Sequence, residues 1–248
     1  NRHCYNVNHP NNHIIHMSAE PFTLSEFLLY LAAIPPEGDQ RIPPLNVLSK
    51  ELGLSVATLR EQLEEARSMG LVEVKPRAGI RKLPFDFATS IRPGLLYAVH
   101  SKSILFHQFS DLRKHLETAY FIEAAQLLTS SDIVQLNDIV LQAQQKINSL
   151  PTQNPAPEHR QFHLLIYRRL ENEYLLGILK TFWDIYHISG LEIYPEIHYL
   201  ERVWSYHAKI VEEIKSKNFQ HGLAILMEHM DILAQREKSP IMETLIWD

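Results

Sequence analysis

A single cysteine, Cys4, stands in 248 residues, which excludes an internal disulfide framework and suits a reducing, cytoplasmic setting. No apolar run approaches the ~18 residues of a bilayer span, so no membrane association is expected. The opening "NRHCYNVNHPNNHIIHM" lacks the basic-then-apolar layout of a signal peptide. Its Asn and His content reads as a flexible arm over 1–20, with a metal-binding or groove-reading arm as the alternative. Positive charge is also scarce, with a formal net charge of -5. The exception is 41–85, where eight basic residues face five acidic ones, so the rest of the chain is more acidic than the average. A small basic head on an acidic body fits that asymmetry.

Against these absences, 45% hydrophobic residues make an ordinary globular composition, and the length accommodates two domains. "EPFTLSEFLLYLAAI" carries Phe27, Leu28, Leu31 and Ile34 at helical spacing, with Thr23 or Ser25 as a cap. Two proline pairs and Gly38 break that helix, and Pro43-Pro44 open another with Leu45, Leu48 and Leu52 on one face. Gly53 stops it, and Ser55 caps a third helix that buries Leu59, Leu63 and Ala66. After Gly70, "LVEVKPRAGIRKL" alternates around a Pro-Arg-Ala-Gly break and predicts a two-stranded hairpin.

Helix, helix, turn, helix, hairpin is the order of a winged helix-turn-helix, expected over 21–85. Such a head sets the start of its last helix against base edges and its wing against phosphates. Ser55, Thr58 and Arg60 lie at that helix start, and Lys75, Arg77, Arg81 and Lys82 lie on the wing. The bland alternative for Arg60 is an ion pair with Glu61 or Glu64. "FATSIRPG" reads as a linker over 86–94. From 95 to 235 nothing reads as strand, and six helical runs predict an all-helical bundle, followed by a tail over 236–248. Helical content runs unbroken from 95 to 128; Ser131 with Asp132 starts the next helix, and Asn172 and Asn218 are caps. The fold class is therefore mainly α, a winged head with a small β-hairpin plus a helical bundle.

The stretch "IPPEGDQRIPPLNVLSKELGLSVATLREQLEEARSMGLVEVKPRAGIRKL" resembles the winged head of GntR-type transcription regulators, through Gly38, Gly53, Ser55, Leu59-Arg60-Glu61, Leu63, Gly70-Leu71-Val72 and Gly79. "DLRKHLETAYFIEAA", "HRQFH", "YHAKIVEEI" and "MEHM" resemble the metal-binding FCD ligand domain of the FadR subgroup. Where that family usually carries arginines, this chain has Asn46 and Val56; of the three usual arginines only Arg60 remains. Fewer cationic contacts weaken phosphate binding and flatten its salt dependence. Val56 is suited to a thymine methyl and Asn46 to a base or phosphate hydrogen bond.

His159 and His163, four residues apart, project from one helix face. His207 and His229 lie on two later helices that a bundle can bring to the same interior point. Hydrogen-bonded core histidines are the alternative. The resemblance implies a metal site at His163, His207 and His229, with His159 where the family has aspartate. Glu158, one residue out of phase, is the poorer candidate. Four imidazoles favour zinc or nickel over harder ions and leave about two positive charges uncompensated, which attracts an anion. A small carboxylate effector chelating the metal, clamped by Arg113, follows from the resemblance; an exposed Arg113–Glu117 pair is the alternative. Trp183, Tyr186 and Tyr194 read as core aromatics, with an effector pocket as the other option.

The expected function is therefore a homodimeric, effector-responsive regulator bound to a double-stranded DNA operator and not an enzyme. The rivals are a metal-dependent enzyme on the bundle and a metal or metabolite binder that has lost DNA binding. An enzyme needs a general base beside the ion, and His159 replaces the nearest carboxylate.

Overall fold

The computed structural model describes residues 23–37, 39–102, 104–188 and 196–237. The expected arm over 1–20, Gly38, Tyr194 and all but the first two residues of the expected tail lie outside that range.

The N-terminal part comprises α1 (Glu26–Ala33), β1 (Arg41–Ile42), α2 (Leu45–Leu52), α3 (Val56–Ser68), β2 (Val72–Lys75) and β3 (Gly79–Lys82). The turn between α2 and α3 requires a left-handed residue, and Gly53 supplies it at φ 68°. Ser55 then caps α3 by accepting from the Thr58 N–H at 3.0 Å. Capping of this kind is worth about 1 kcal/mol. Phe27, Leu48, Leu59 and Ala66 are fully buried in one shared core, as helical spacing predicts. Ser25 does not cap α1 with its side chain; its hydroxyl donates to Glu65 at 2.9 Å and staples α1 to α3.

The sheet has three strands rather than the expected two, in the order β1-β3-β2, all antiparallel. Arg41 pairs with Arg81, and Arg81 with Glu73, so the three share one face. β1 is two residues long, too short to show an alternating pattern.

Residues 86–94, expected as a linker, are helical from Phe87 onward: α4 spans Phe87–Ser101 with Pro93 inside it. Proline and glycine at 93–94 suggest a break, but tertiary packing overrides local propensity. α8 (Glu173–Ile188) offers Gly177 where the backbone of α4 crosses; a Cβ there would lie 2.8 Å from Phe87 Cδ1 and 3.0 Å from Ala88 N. Only glycine permits that approach. Thr181, buried on α8, donates to Gly177 O at 2.8 Å and lies 3.4 Å from Ala88 O. At its other side α4 touches the head, with Ser90 Oγ donating to Met69 O at 3.0 Å.

The helical part continues with α5 (Ile104–Leu127), α6 (Ser130–Ile147), α7 (Ala156–Tyr167), α9 (Ile197–Lys215) and α10 (Phe219–Glu237). The run expected to be unbroken from 95 to 128 is interrupted between α4 and α5. α6 begins earlier than Ser131: Thr129 caps it, in a capping box with Asp132. Asp132 is fully buried and also ion-pairs with Arg168 and, at 2.9 Å, with Arg169. Those partners hold its carboxyl far below the usual aspartate range. Asn172 caps α8 by accepting from Leu175 N–H at 3.0 Å. No helix among the described residues is long and apolar enough to cross a membrane.

Candidate metal centre and DNA-facing surface

α7 carries His159 and His163 inward on successive turns, α9 carries His207 and α10 carries His229. The structure brings one ligand nitrogen from each of the four within 4.8 Å of one another. His163, His207 and His229 are almost completely buried, and His159 is 8% exposed. His163 Nε2 lies 3.3 Å from His207 Nε2 and 3.3 Å from His229 Nε2. Nitrogens bound about 2.0–2.1 Å from a tetrahedral zinc lie roughly 3.3–3.4 Å apart, the edge of that tetrahedron.

The proton inventory points the same way. His163 Nδ1 sits 2.6 Å from Glu117 Oε2, on α5. Nδ1–H donation to that carboxylate turns the Nε2 lone pair toward the cluster. The Glu117 Oε1 accepts from Arg113 Nε at 2.5 Å, and Tyr167 OH donates to the Glu117 backbone carbonyl at 2.8 Å. Burial pushes the Glu117 carboxyl up, and the Arg113 guanidinium offsets part of that push. Burial also holds His163, His207 and His229 well below the ordinary histidine value, with the Arg113 charge adding to the effect and Glu117 opposing it at His229. All three are therefore neutral near pH 7, the state a metal ligand needs. His207 Nδ1 and His229 Nδ1 are buried without a hydrogen-bond partner. Three neutral imidazoles that turn their Nε2 atoms toward one point at these separations fit a divalent cation better than a purely structural role.

Arg113 is not the exposed residue of the alternative reading. It is 1% exposed, paired to an equally buried Glu117, and its guanidinium lies over the Phe182 and Trp183 rings at 4.4 and 4.5 Å. Its Nη2 remains without an acceptor. Trp183 and Tyr186 are core, packed with Phe106, Phe109 and Phe182. Glu158 pairs with Lys146 at 2.6 Å and is not part of the four-histidine group. Glu117 was visible in the sequence only as a partner for Arg113. A carboxylate two helices upstream of His163 leaves no local signature.

On the head, Asn46, Ser55 and Arg60 are exposed, and Val56 and Thr58 are half-buried. Arg60 makes no ion pair among the described residues; Glu64 pairs instead with Arg67 at 3.4 Å. The Ser55 and Thr58 hydroxyls lie 2.9 Å apart and bond each other. Lys75, Arg77 and Arg81 are exposed on the wing, with Lys75 2.9 Å from Glu73. Lys82 departs from the expected phosphate-facing position: its Nζ donates to Ile34 O at 2.7 Å, the end of α1. Exposed Arg41, beside Arg81 across the ladder, is a basic wing residue that the sequence left out because β1 was not foreseen.

The FCD domain pattern matches residues 108–232, half of the chain, and spans every element that carries the histidines. The chain belongs to the GntR family of transcriptional regulators, with an FCD domain. The HTH-type transcriptional regulator LutR of Bacillus subtilis is 22% identical over 203 residues, covering 77% of this chain and 88% of that protein. Among solved structures, Streptococcus agalactiae GntR matches with a TM-score of 0.63 at 16% identity, covering 86% of this chain and 95% of that one. E. coli McbR/YncC aligns with a TM-score of 0.48 at 19% identity, covering 85% and 93%. The first of these structures shares the fold of this chain, a winged head followed by a helical part.

Proposed function

We propose that this regulator binds a DNA operator as a homodimer and that its helical part holds a divalent cation, zinc or nickel, through His159, His163, His207 and His229. The single observation that carries the metal reading is the pair of 3.3 Å separations centred on His163 Nε2. Glu117 and Arg113 orient His163 from behind, a carboxylate–histidine arrangement that fixes the ring and raises its basicity. The bound ion supplies a Lewis-acidic position for an anion. This chain's own contribution to carboxylate binding includes the unpaired Nη2 of Arg113. Among the described residues, no carboxylate stands beside the imidazoles except Glu117, whose two oxygens are both committed.

DNA contact rests on Arg60 at the start of α3, with Asn46, Ser55, Val56 and Thr58 around it and Lys75, Arg77, Arg81 and Lys82 as the wing set. Of these, Arg60, Arg77 and Arg81 have the strongest support, being exposed cations; Lys82 has the weakest because of its bond to Ile34. Two heads in a dimer would meet half-sites about one DNA turn apart. The two units are taken as 21–85 for the head and 95–235 for the ligand part, with α4 joining them. Selection of genomic fragments on purified protein, with and without added metal, tests the reading. Enrichment of a palindromic site that depends on metal is the expected result. No duplex affinity at low salt would overturn DNA binding, and equal metal content in wild type and a His163→Ala, His207→Ala double variant would overturn the metal site.

A further inference from the structure

Beside the imidazole cluster, and separated from it by Trp183, a cavity of about 910 Å³ opens between α4, the start of α7 and the end of α8. Arg92 of α4 and Arg160 of α7 both reach into it and share a single carboxylate, Asp184 of α8. Arg92 Nη2 lies 2.6 Å from Asp184 Oδ2, and Arg160 Nη2 lies 3.3 Å from Oδ1. Each guanidinium thus spends one nitrogen on the aspartate, and two cations face one anion. The Arg92 Nε is buried with no acceptor. So is the indole N–H of Trp183, a side chain only 1% exposed that lines the cavity wall. The start of α7, with Ala156 and Pro157 on the cavity rim, adds the positive end of its backbone dipole.

We propose that this cavity binds a small organic acid, its carboxylate held by Arg92, Arg160 and the Trp183 N–H, and its hydrocarbon body against Ala156, Pro157 and Ile188. The volume falls within the range of small-molecule sites. Two donors in want of an acceptor, Arg92 Nε and the Trp183 N–H, stand with Arg160 where two guanidiniums share one carboxylate, and the apolar walls select against a bare inorganic ion. Asp184 is a built-in competitor. An incoming carboxylate takes over part of what Asp184 now holds, and the bidentate edge of a guanidinium is the natural seat for it. This deepens the effector-binding reading by giving the acid a seat that needs no metal, so the two can fail separately.

The test is calorimetric titration of the full chain with benzoate, octanoate and inorganic phosphate, repeated on protein stripped of metal by a chelator. Benzoate or octanoate binds, phosphate does not, and the stripped protein keeps that binding. Arg160→Gln and Arg92→Gln each weaken it by about tenfold or more, the loss of a charge-assisted bond. Asp184→Asn tightens it several-fold by removing the competitor. No binding of either acid, phosphate binding as tightly as the acids, or arginine variants with unchanged affinity would each overturn the proposal. Asp184→Asn with weaker binding would also overturn it, and this variant together with Arg160→Gln decides the matter if Arg92→Gln fails to fold. If only the metal-stripped protein loses binding, the acid sits on the metal centre and the cavity proposal is wrong.

Discussion

Arg60 and His163 illustrate two ways of placing a functional group. Arg60 stands exposed on the second turn of α3, held by one helix and making no ion pair among the described residues. His163 is fully buried and is fixed by Glu117 from α5 while two further helices bring His207 and His229 to its other nitrogen. A group of the first kind owes its position to local sequence, here Gly53 and the Ser55 cap, and changing it disturbs little else. A group of the second kind depends on the whole packing arrangement, and changing it leaves buried partners without a bond. The head should therefore tolerate substitution structurally while losing affinity step by step, and the centre should respond all at once.

The largest expected effect is at the centre. The His163→Ala, His207→Ala variant removes two of four ligands, and elemental analysis should find metal near zero where the wild type holds about one ion per chain. Next is the helix crossing. Gly177→Val puts side-chain atoms where Phe87 and Ala88 already lie. Overpacking of that kind costs about 1–3 kcal/mol, read as a lowered Tm with metal content retained. On the head, Arg60→Ala should weaken operator binding about tenfold. The plot of log affinity against log salt should become shallower by roughly 0.9, with Tm unchanged. The comparison sharpens between two wing lysines. Lys75→Ala should lower affinity without touching stability, whereas Lys82→Met should lower Tm slightly and weaken affinity less than Lys75→Ala does, since Lys82 secures the end of α1.

The smallest effect is a pH dependence. The Asp132 carboxyl is depressed in the folded state, so its stabilising contribution is complete above the ordinary aspartate value of 3.8. It is lost as pH falls from there toward the lower folded value. Acid titration of Tm should show Asp132→Asn converging on wild type in strong acid, because protonation has by then removed the same charge.

Much of the head was readable because its signals are local. Gly53 needs φ above zero, Ser55 needs only to reach three residues ahead, and the apolar spacing of Leu59, Leu63 and Ala66 follows one helix face. The histidine pair on α7 was readable for the same reason. What could not be read depends on distant partners. β1 exists because β3 offers an edge, and Arg41 joins the wing only through that pairing. α4 holds despite Pro93 because Gly177, more than eighty residues later, leaves it a groove. Glu117 becomes the support of His163 only once α5 and α7 lie side by side.

α4 has one mechanical consequence. Fifteen helical residues make a rod of about 22 Å, and this one is clasped near its start by both Met69 of the head and Thr181 of the bundle. A string between two bodies lets each wander; a clasped rod transmits torque. The start of α4 thus ties α8 to the end of α3 through two neighbouring turns of one helix.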